Sequence, residues 1–355
     1  MPLSEAGLVR YLLDLGLVER SAVVDGSFVA IPASRRNRNF RVECGDARLF
    51  VKQAGPQGLM TQASLAREAA FCWLTATEPK LAALAPIVPG CVLHDPSRAI
   101  LILHAVPGAV APPRQQSVQR GFPPATGEAA ADALRRLRLF RRAEAGNAAE
   151  LIPTDRPWVL SVLEAGAQGG LPDNVATAYM LDVIRRFPGF ERALARLRDG
   201  WAGDSLVHGD VKWDNLLLEA GDAGRPRLVD WEMVMWGDAA WDAGSLIQDY
   251  LGQTVLGSPL PPQAPAEAVA DAAERALTAV RPAIGAFWRC YAADADDPSL
   301  LRRSVSYAGA RMLQTCIEAL AGSSGMTPNV AALLQLSHNV LQDPDGAAGT
   351  LLGLS

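Results

Sequence analysis

Over the first hundred residues, apolar side chains come in alternating or β-branched runs of five to nine positions separated by turn residues. The pattern predicts strands at 23–31, 39–44, 48–53, 87–93 and 99–104. One helical stretch interrupts them at 61–77, with Ala66, Ala69, Ala70, Trp73 and Leu74 as its expected apolar stripe. Before the strands, Leu8, Leu12, Leu13 and Leu15 mark an amphipathic helix. The charges of Glu5, Arg10, Asp14 and Glu19 rule out a signal peptide there. Residues 105–126 carry Pro107, Pro112, Pro113, Pro123 and Pro124 and are expected to be a linker. Beyond them the period changes to that of helices, expected at 127–143, 174–198, 239–252, 266–294, 299–321 and 328–341.

A β-rich part followed by a helical part predicts an α+β fold with two lobes: 1–104, a hinge at 105–126, and 127–355. A chain of 355 residues is long enough for two such cores. No run of eighteen apolar residues occurs, so no membrane partner is expected. The net charge of -5 speaks against a nucleic-acid partner. The five cysteines, at 44, 72, 91, 290 and 316, have no metal-ligand spacing and read as reduced thiols in a cytoplasmic protein. Lysine is nearly absent: Lys52, Lys80 and Lys212 stand against thirty arginines, so a lysine at a special place asks for a reason.

The chemistry concentrates at Leu206-Val207-His208-Gly209-Asp210-Val211-Lys212-Trp213-Asp214-Asn215-Leu216-Leu217-Leu218. Polar side chains pinned between two apolar strands need partners or work, because burying them otherwise costs free energy. Arg227-Leu228-Val229-Asp230 repeats the device, delivering a carboxylate at the end of a strand. Phosphoryl transfer uses such parts: a carboxylate to orient a hydroxyl and take its proton, and oxygen ligands for Mg²⁺.

His208-Gly209-Asp210-x4-Asn215 followed by Asp230 resembles the catalytic loop and metal-binding segment of the aminoglycoside phosphotransferase-like kinases, distant relatives of protein kinases. The resemblance implies a protein-kinase-like fold and an ATP- and Mg²⁺-dependent transfer to a hydroxyl. It implies Asp210 as the catalytic carboxylate, Asn215 and Asp230 as metal ligands, and His208 as a loop-stabilising histidine. Lys212, inside the loop, would touch the γ-phosphate or pair with Asp214. Asp242 would hold the backbone of the loop. Lys52 and Glu68 match the phosphate-binding lysine and its ion-pair glutamate, and an arginine does not freely replace such a compact ammonium. Residues 100–105 match the hinge that reads adenine through backbone groups, giving Leu103 and Ala105 as nucleotide contacts. The nucleotide loop at 32–40 lacks the glycines of protein kinases; the family often uses Ser and Asn there, which implies Ser34 and Asn37. No G-x-x-x-x-G-K-[ST] is present, which excludes a P-loop kinase.

For the acceptor, the Trp-rich stretch 230–242, Pro157-Trp158 and the run 307–314 resemble the branch of these kinases that acts on precursor peptides in lanthipeptide- and thioamitide-type pathways. That branch implies a Ser/Thr acceptor and a partner lyase. Trp213, Trp231, Trp236 and Trp241 are read as core residues or as an aromatic substrate wall. Twelve Asp and Glu against six Arg from Trp236 onward also permit a cationic small molecule, such as an aminoglycoside or amino alcohol. A sugar or macrolide hydroxyl and a catalytically silent nucleotide-binding scaffold complete the alternatives.

Overall fold

The computed structural model describes residues 3–33, 38–55, 61–106, 108, 122–164, 171, 174–219, 224–257, 265–321 and 325–354. The chain divides into two compact units. The first comprises residues 1–110, 145–152 and 217–234, and the second comprises 111–144, 153–216 and 235–355.

The first unit is built on an antiparallel five-stranded sheet. Its strands are β1 (Phe28–Pro32), β2 (Arg38–Cys44), β3 (Ala47–Gln53), β4 (Cys91–Asp95) and β5 (Ile100–His104), in the order β1-β2-β3-β5-β4. Side chains alternate across such a sheet. Leu49 and Val51 of β3 therefore join Phe40, Val42, Ile100 and Ile102 in a core closed by Leu8 and Leu12 of α1 (Glu5–Asp14). Lys52, between Val51 and Gln53, pairs in register with Asn39 on β2 and Leu101 on β5. Helix α2 (Arg20–Val24) precedes β1. Helix α3 (Gln62–Thr77) starts at Thr61, whose side chain accepts the amide of Ser64 and satisfies an otherwise open donor.

Three local expectations are corrected here. The strand expected at 23–31 begins only at Phe28, because Asp25 and Gly26 (φ 81°) make a turn after α2. The strand expected from 87 begins at Cys91, after a 3₁₀ stretch at Pro79–Ile87. On α3 the expected Ala69 and Leu74 are buried together with Leu65, Glu68, Phe71, Cys72 and Thr75, whereas Trp73 is 59% exposed and Ala70 faces solvent.

The boundary at residue 104 also differs from the observed division, since 145–152 and 217–234 return to the first unit. Their attachment has physical causes. Strands β7 (Leu216–Leu218) and β8 (Pro226–Leu228) pair with each other. Arg227 then donates to the carbonyls of Ala85 and Val88, and Trp231 lies 4.6 Å from Phe71 of α3, centroid to centroid. Helix α5 (Ala148–Leu151) belongs to the same unit, and α4 (Pro124–Leu139) to the other. Most of the expected linker (107 and 109–121) lies outside the described residues.

The second unit is helical. Helix α4 is followed by α6 (Val175–Arg185), α7 (Pro188–Asp199), α8 (Ala240–Gly257), α9 (Ala266–Tyr291), α10 (Leu300–Leu320), α11 (Pro328–Gln342) and α12 (Pro344–Ala347). The single helix expected at 174–198 is broken at Phe187, held extended by the proline that follows it and opens α7. Strands β6 (Ser205–Val207) and β9 (Met235–Gly237) pair antiparallel, and β6 leads directly into the loop that begins at His208. Helices α8 and α10 pack at very short range. A Cβ at Gly244 of α8 would lie 2.5 Å from the Ser304 carbonyl oxygen and 2.9 Å from the Ala308 nitrogen, so only glycine permits the approach.

Candidate functional site

In the first unit the functional centre is a buried ion cluster. The Nζ of Lys52 donates to Glu68 Oε1 and Oε2 at 2.8 and 2.7 Å and to Asp230 Oδ1 at 2.7 Å. Glu68 is fully buried and also accepts the Trp231 amide at 3.3 Å. Burial favours the neutral amine of Lys52, but Glu68 and Asp230 outweigh it and hold the group well above the ordinary lysine range. Burial pushes the Glu68 carboxyl up while Lys52 pulls it the other way. Asp230 has left-handed backbone (φ 71°, ψ 56°), which aspartate and asparagine tolerate better than most residues. Strand β8 thus ends in a turn at the residue that supplies the second carboxylate.

In the second unit the loop after β6 is held from behind. Asp242, near the start of α8, accepts the amides of His208 at 2.7 Å and Gly209 at 3.1 Å. Burial pushes the Asp242 carboxyl up to about 7, against these amides and Arg311, which favour the anion. Gly209 has φ 86°, a left-handed turn that a side chain would strain. His208 is fully buried, and its Nδ1 accepts the Asp210 amide at 3.3 Å. The Trp241 indole donates to the Gly209 carbonyl at 3.0 Å, and Asp249 accepts the Trp213 amide at 2.7 Å.

Asp210 is the exception in this loop, because its side chain carries charge partners instead of backbone. Arg311 Nη2 donates to Oδ1 at 3.0 Å and Lys212 Nζ to Oδ2 at 2.5 Å. Burial disfavours the anion, but Arg311 and Lys212 outweigh it and hold the carboxyl well below its usual range. Asn215 Nδ2 donates to the Asp210 carbonyl at 2.9 Å and to its Oδ2 at 3.4 Å, so the amide oxygen is the atom of Asn215 that could meet a cation.

The residues expected from sequence are therefore gathered as two sets: Lys52, Glu68 and Asp230, and His208, Asp210, Lys212 and Asn215. Among the described residues no group of three or more His, Cys, Asp or Glu could hold a metal alone. Asn215 and Asp230 do offer the oxygen donors that suit Mg²⁺, an ion usually shared with nucleotide phosphates. Leu103 is paired to Phe50 and Cys91 in the sheet. The Ala105 amide donates to the Arg48 carbonyl at 2.9 Å, so its carbonyl is the group left for a nucleotide. Ser34 and Asn37 lie outside the described residues. The four tryptophans at 213, 231, 236 and 241 are all core residues, at most 1% exposed, which removes the aromatic substrate wall.

Arg311 and Asp249 are additions that sequence reasoning missed. Arg311 is a lone cation on the buried face of α10, between Tyr307 and Gln314. A charge among buried positions is the signal that would have found it.

Comparison with known proteins agrees with this arrangement. The model of the phosphotransferase enzyme family matches residues 27–283, more than two-thirds of the chain. A search of curated proteins returns no match. Among solved structures, the chain is similar to a Plasmodium vivax ethanolamine kinase (14% identity, TM-score 0.59, covering 94% of this chain and 89% of that one). It is similar to the choline kinase LicA of Streptococcus pneumoniae (13%, TM-score 0.58, 94% and 97%). It is also similar to an aminoglycoside-3'-phosphotransferase of type VIII (21%, TM-score 0.51, 81% and 96%). These likenesses show the protein-kinase-like two-lobed fold. No helix of the described residues is long and apolar enough to cross a membrane. The chain belongs to the phosphotransferase enzyme family and is an ATP-dependent phosphotransferase with an alcohol group as acceptor.

Proposed function

We propose that the protein transfers the γ-phosphoryl group of ATP to a hydroxyl of a small organic molecule, and that the two residue sets described above divide the work. The observation that carries the reading is the Asp210 carboxylate, held between two cations in a loop whose backbone is fixed by Asp242. Asp210 would orient the acceptor hydroxyl and take its proton, while His208 keeps the loop in shape from its buried position. Lys52, kept in place by Glu68, would meet the phosphates. Asp230 and the amide oxygen of Asn215 are each suited as an oxygen ligand to Mg²⁺, which when bound neutralises phosphate charge. Lys212, one-third exposed and bonded to Asp210, is suited to a phosphate once displaced from that carboxylate.

The small acceptor is favoured because the motives for a peptide acceptor weaken in the structure. Trp213, Trp231, Trp236 and Trp241 fill cores, so none of them is left to wall a groove for an extended peptide. Nothing described favours a precursor peptide or a partner lyase. The ethanolamine, choline and aminoglycoside kinases among the structural neighbours make small hydroxyl compounds the natural panel to begin with. The unpaired thiols of Cys44, Cys72 and Cys316, all buried, suit a cytoplasmic setting where ATP is plentiful.

The test is incubation with Mg²⁺-ATP and a panel of amino alcohols, sugars, aminoglycosides and Ser/Thr peptides, read by mass spectrometry. Phosphate on a small hydroxyl is the expected result. Phosphate on peptides alone would overturn the small acceptor and keep the kinase. Nucleotide binding without any consumption of ATP would return the chain to a scaffold.

A further inference from the structure

Arg311 comes to Asp210 from α10, 101 residues further along the chain. Its side chain is 5% exposed, against 33% for Lys212, the other cation on the same carboxylate. Its guanidinium lies 5.8 Å from the ring centroid of Trp241, and that indole bonds to the Gly209 carbonyl beside Asp210. Its Nε is buried with no hydrogen-bond partner. A buried donor left open is a cost, and it persists only where the surroundings hold the group for another contact. The close α8–α10 approach at Gly244 fixes the helix that carries it. Arg311 is thus clamped by packing, whereas Lys212 is a half-open side chain on a flexible stem.

We propose that Arg311 is a positioning residue for phosphoryl transfer: it fixes the Asp210 carboxylate through Oδ1 and so presents Oδ2, which Lys212 covers at 2.5 Å and Asn215 Nδ2 touches at 3.4 Å, to the acceptor hydroxyl. The inference rests on the kinase reading above. Of the two contacts, the one through Lys212 is the easier to exchange, because a partly exposed ammonium regains more water when it leaves than a buried guanidinium. The contact through Arg311 is the one that stays, since its guanidinium has no water to return to. The acceptor hydroxyl therefore reaches Asp210 on the Lys212 side.

The test uses the full chain and Mg²⁺-ATP, with water as the phosphoryl acceptor, so it needs no knowledge of the natural substrate. Arg311→Met should lower kcat for ATP hydrolysis by about 10–100-fold, the scale of a misplaced catalytic group, with KM for ATP within about twofold. In an Asp210→Asn background the same substitution should change kcat by less than about twofold, because the group it positions is already gone. An equal loss in both backgrounds would mean a merely structural arginine and would overturn the proposal, as would wild-type kcat in Arg311→Met. If Arg311→Met does not fold, Arg311→Lys carries the same comparison: a loss confined to the Asp210 background supports positioning, and equal losses overturn it. Absence of turnover in the wild-type chain would overturn the kinase reading itself, which is a separate result.

Discussion

The two ion clusters are opposites in charge. Around Lys52 one ammonium serves two carboxylates, Glu68 and Asp230. Around Asp210 one carboxylate serves two cations, Arg311 and Lys212. Counting these groups alone, the first carries one negative charge in excess and the second one positive, which nearby Asp242 offsets through Arg311. A surplus charge in a buried setting is costly unless something of the other sign arrives. The extra carboxylate of the Lys52 cluster is thereby suited to a further cation. The choice of cation follows the same division. A compact ammonium donates to two carboxylates from one point, and a planar guanidinium holds a single carboxylate at a fixed angle.

Removing the central carboxylate of the second cluster should have the largest effect. Asp210→Asn is expected to cut kcat by roughly 10²–10⁴-fold, with ATP affinity little changed. Near-normal turnover would show that this cluster does not carry the chemistry. In the first cluster the main effect should fall on stability. Glu68→Ala leaves buried Lys52 with Asp230 alone and opens the Trp231 amide, at a cost of about 3 kcal/mol in denaturant unfolding. A loss under about 1 kcal/mol would mean that Asp230 suffices to compensate the lysine.

Asp230→Asn keeps a residue that tolerates the left-handed backbone and removes only the charge. It should abolish the thermal stabilisation by Mg²⁺-ATP, which for a wild-type protein at a hundredfold excess over Kd is about 2.7 kcal/mol. Full stabilisation of the variant would separate Asp230 from the metal. The smallest expected effect belongs to the brace behind the second cluster. Asp242→Asn turns an amide NH₂ toward one of the two backbone donors it now accepts, costing about 1–3 kcal/mol in stability. A variant as stable as wild type would show that the loop holds its shape without that carboxylate.

Much of this was legible in the sequence. The alternation of Leu49, Val51 and Lys52 on one strand put two side chains into the core and an ammonium on the other face. The apolar runs flanking His208–Asn215 identified a loop whose polar residues needed partners, and Gly209 gave it its turn. Those signals are local, because a strand, a turn and a motif are each contained within a few residues. What lay beyond reach was decided by distance along the chain. Arg311 is 101 residues from Asp210, and Asp230 is 178 from Lys52. The return of 217–234 to the first unit depends on Arg227 reaching the carbonyls of Ala85 and Val88. The tryptophans of 213–241 read as core more readily than as substrate wall, and the structure buries all four, Trp231 against Phe71 and Trp213 against Phe122 and Tyr250. By itself the sequence determined the elements, the loop and its reactive carboxylate. Only the tertiary structure decided which charges meet in the low-dielectric interior, because pairing there depends on helix packing that no local pattern encodes.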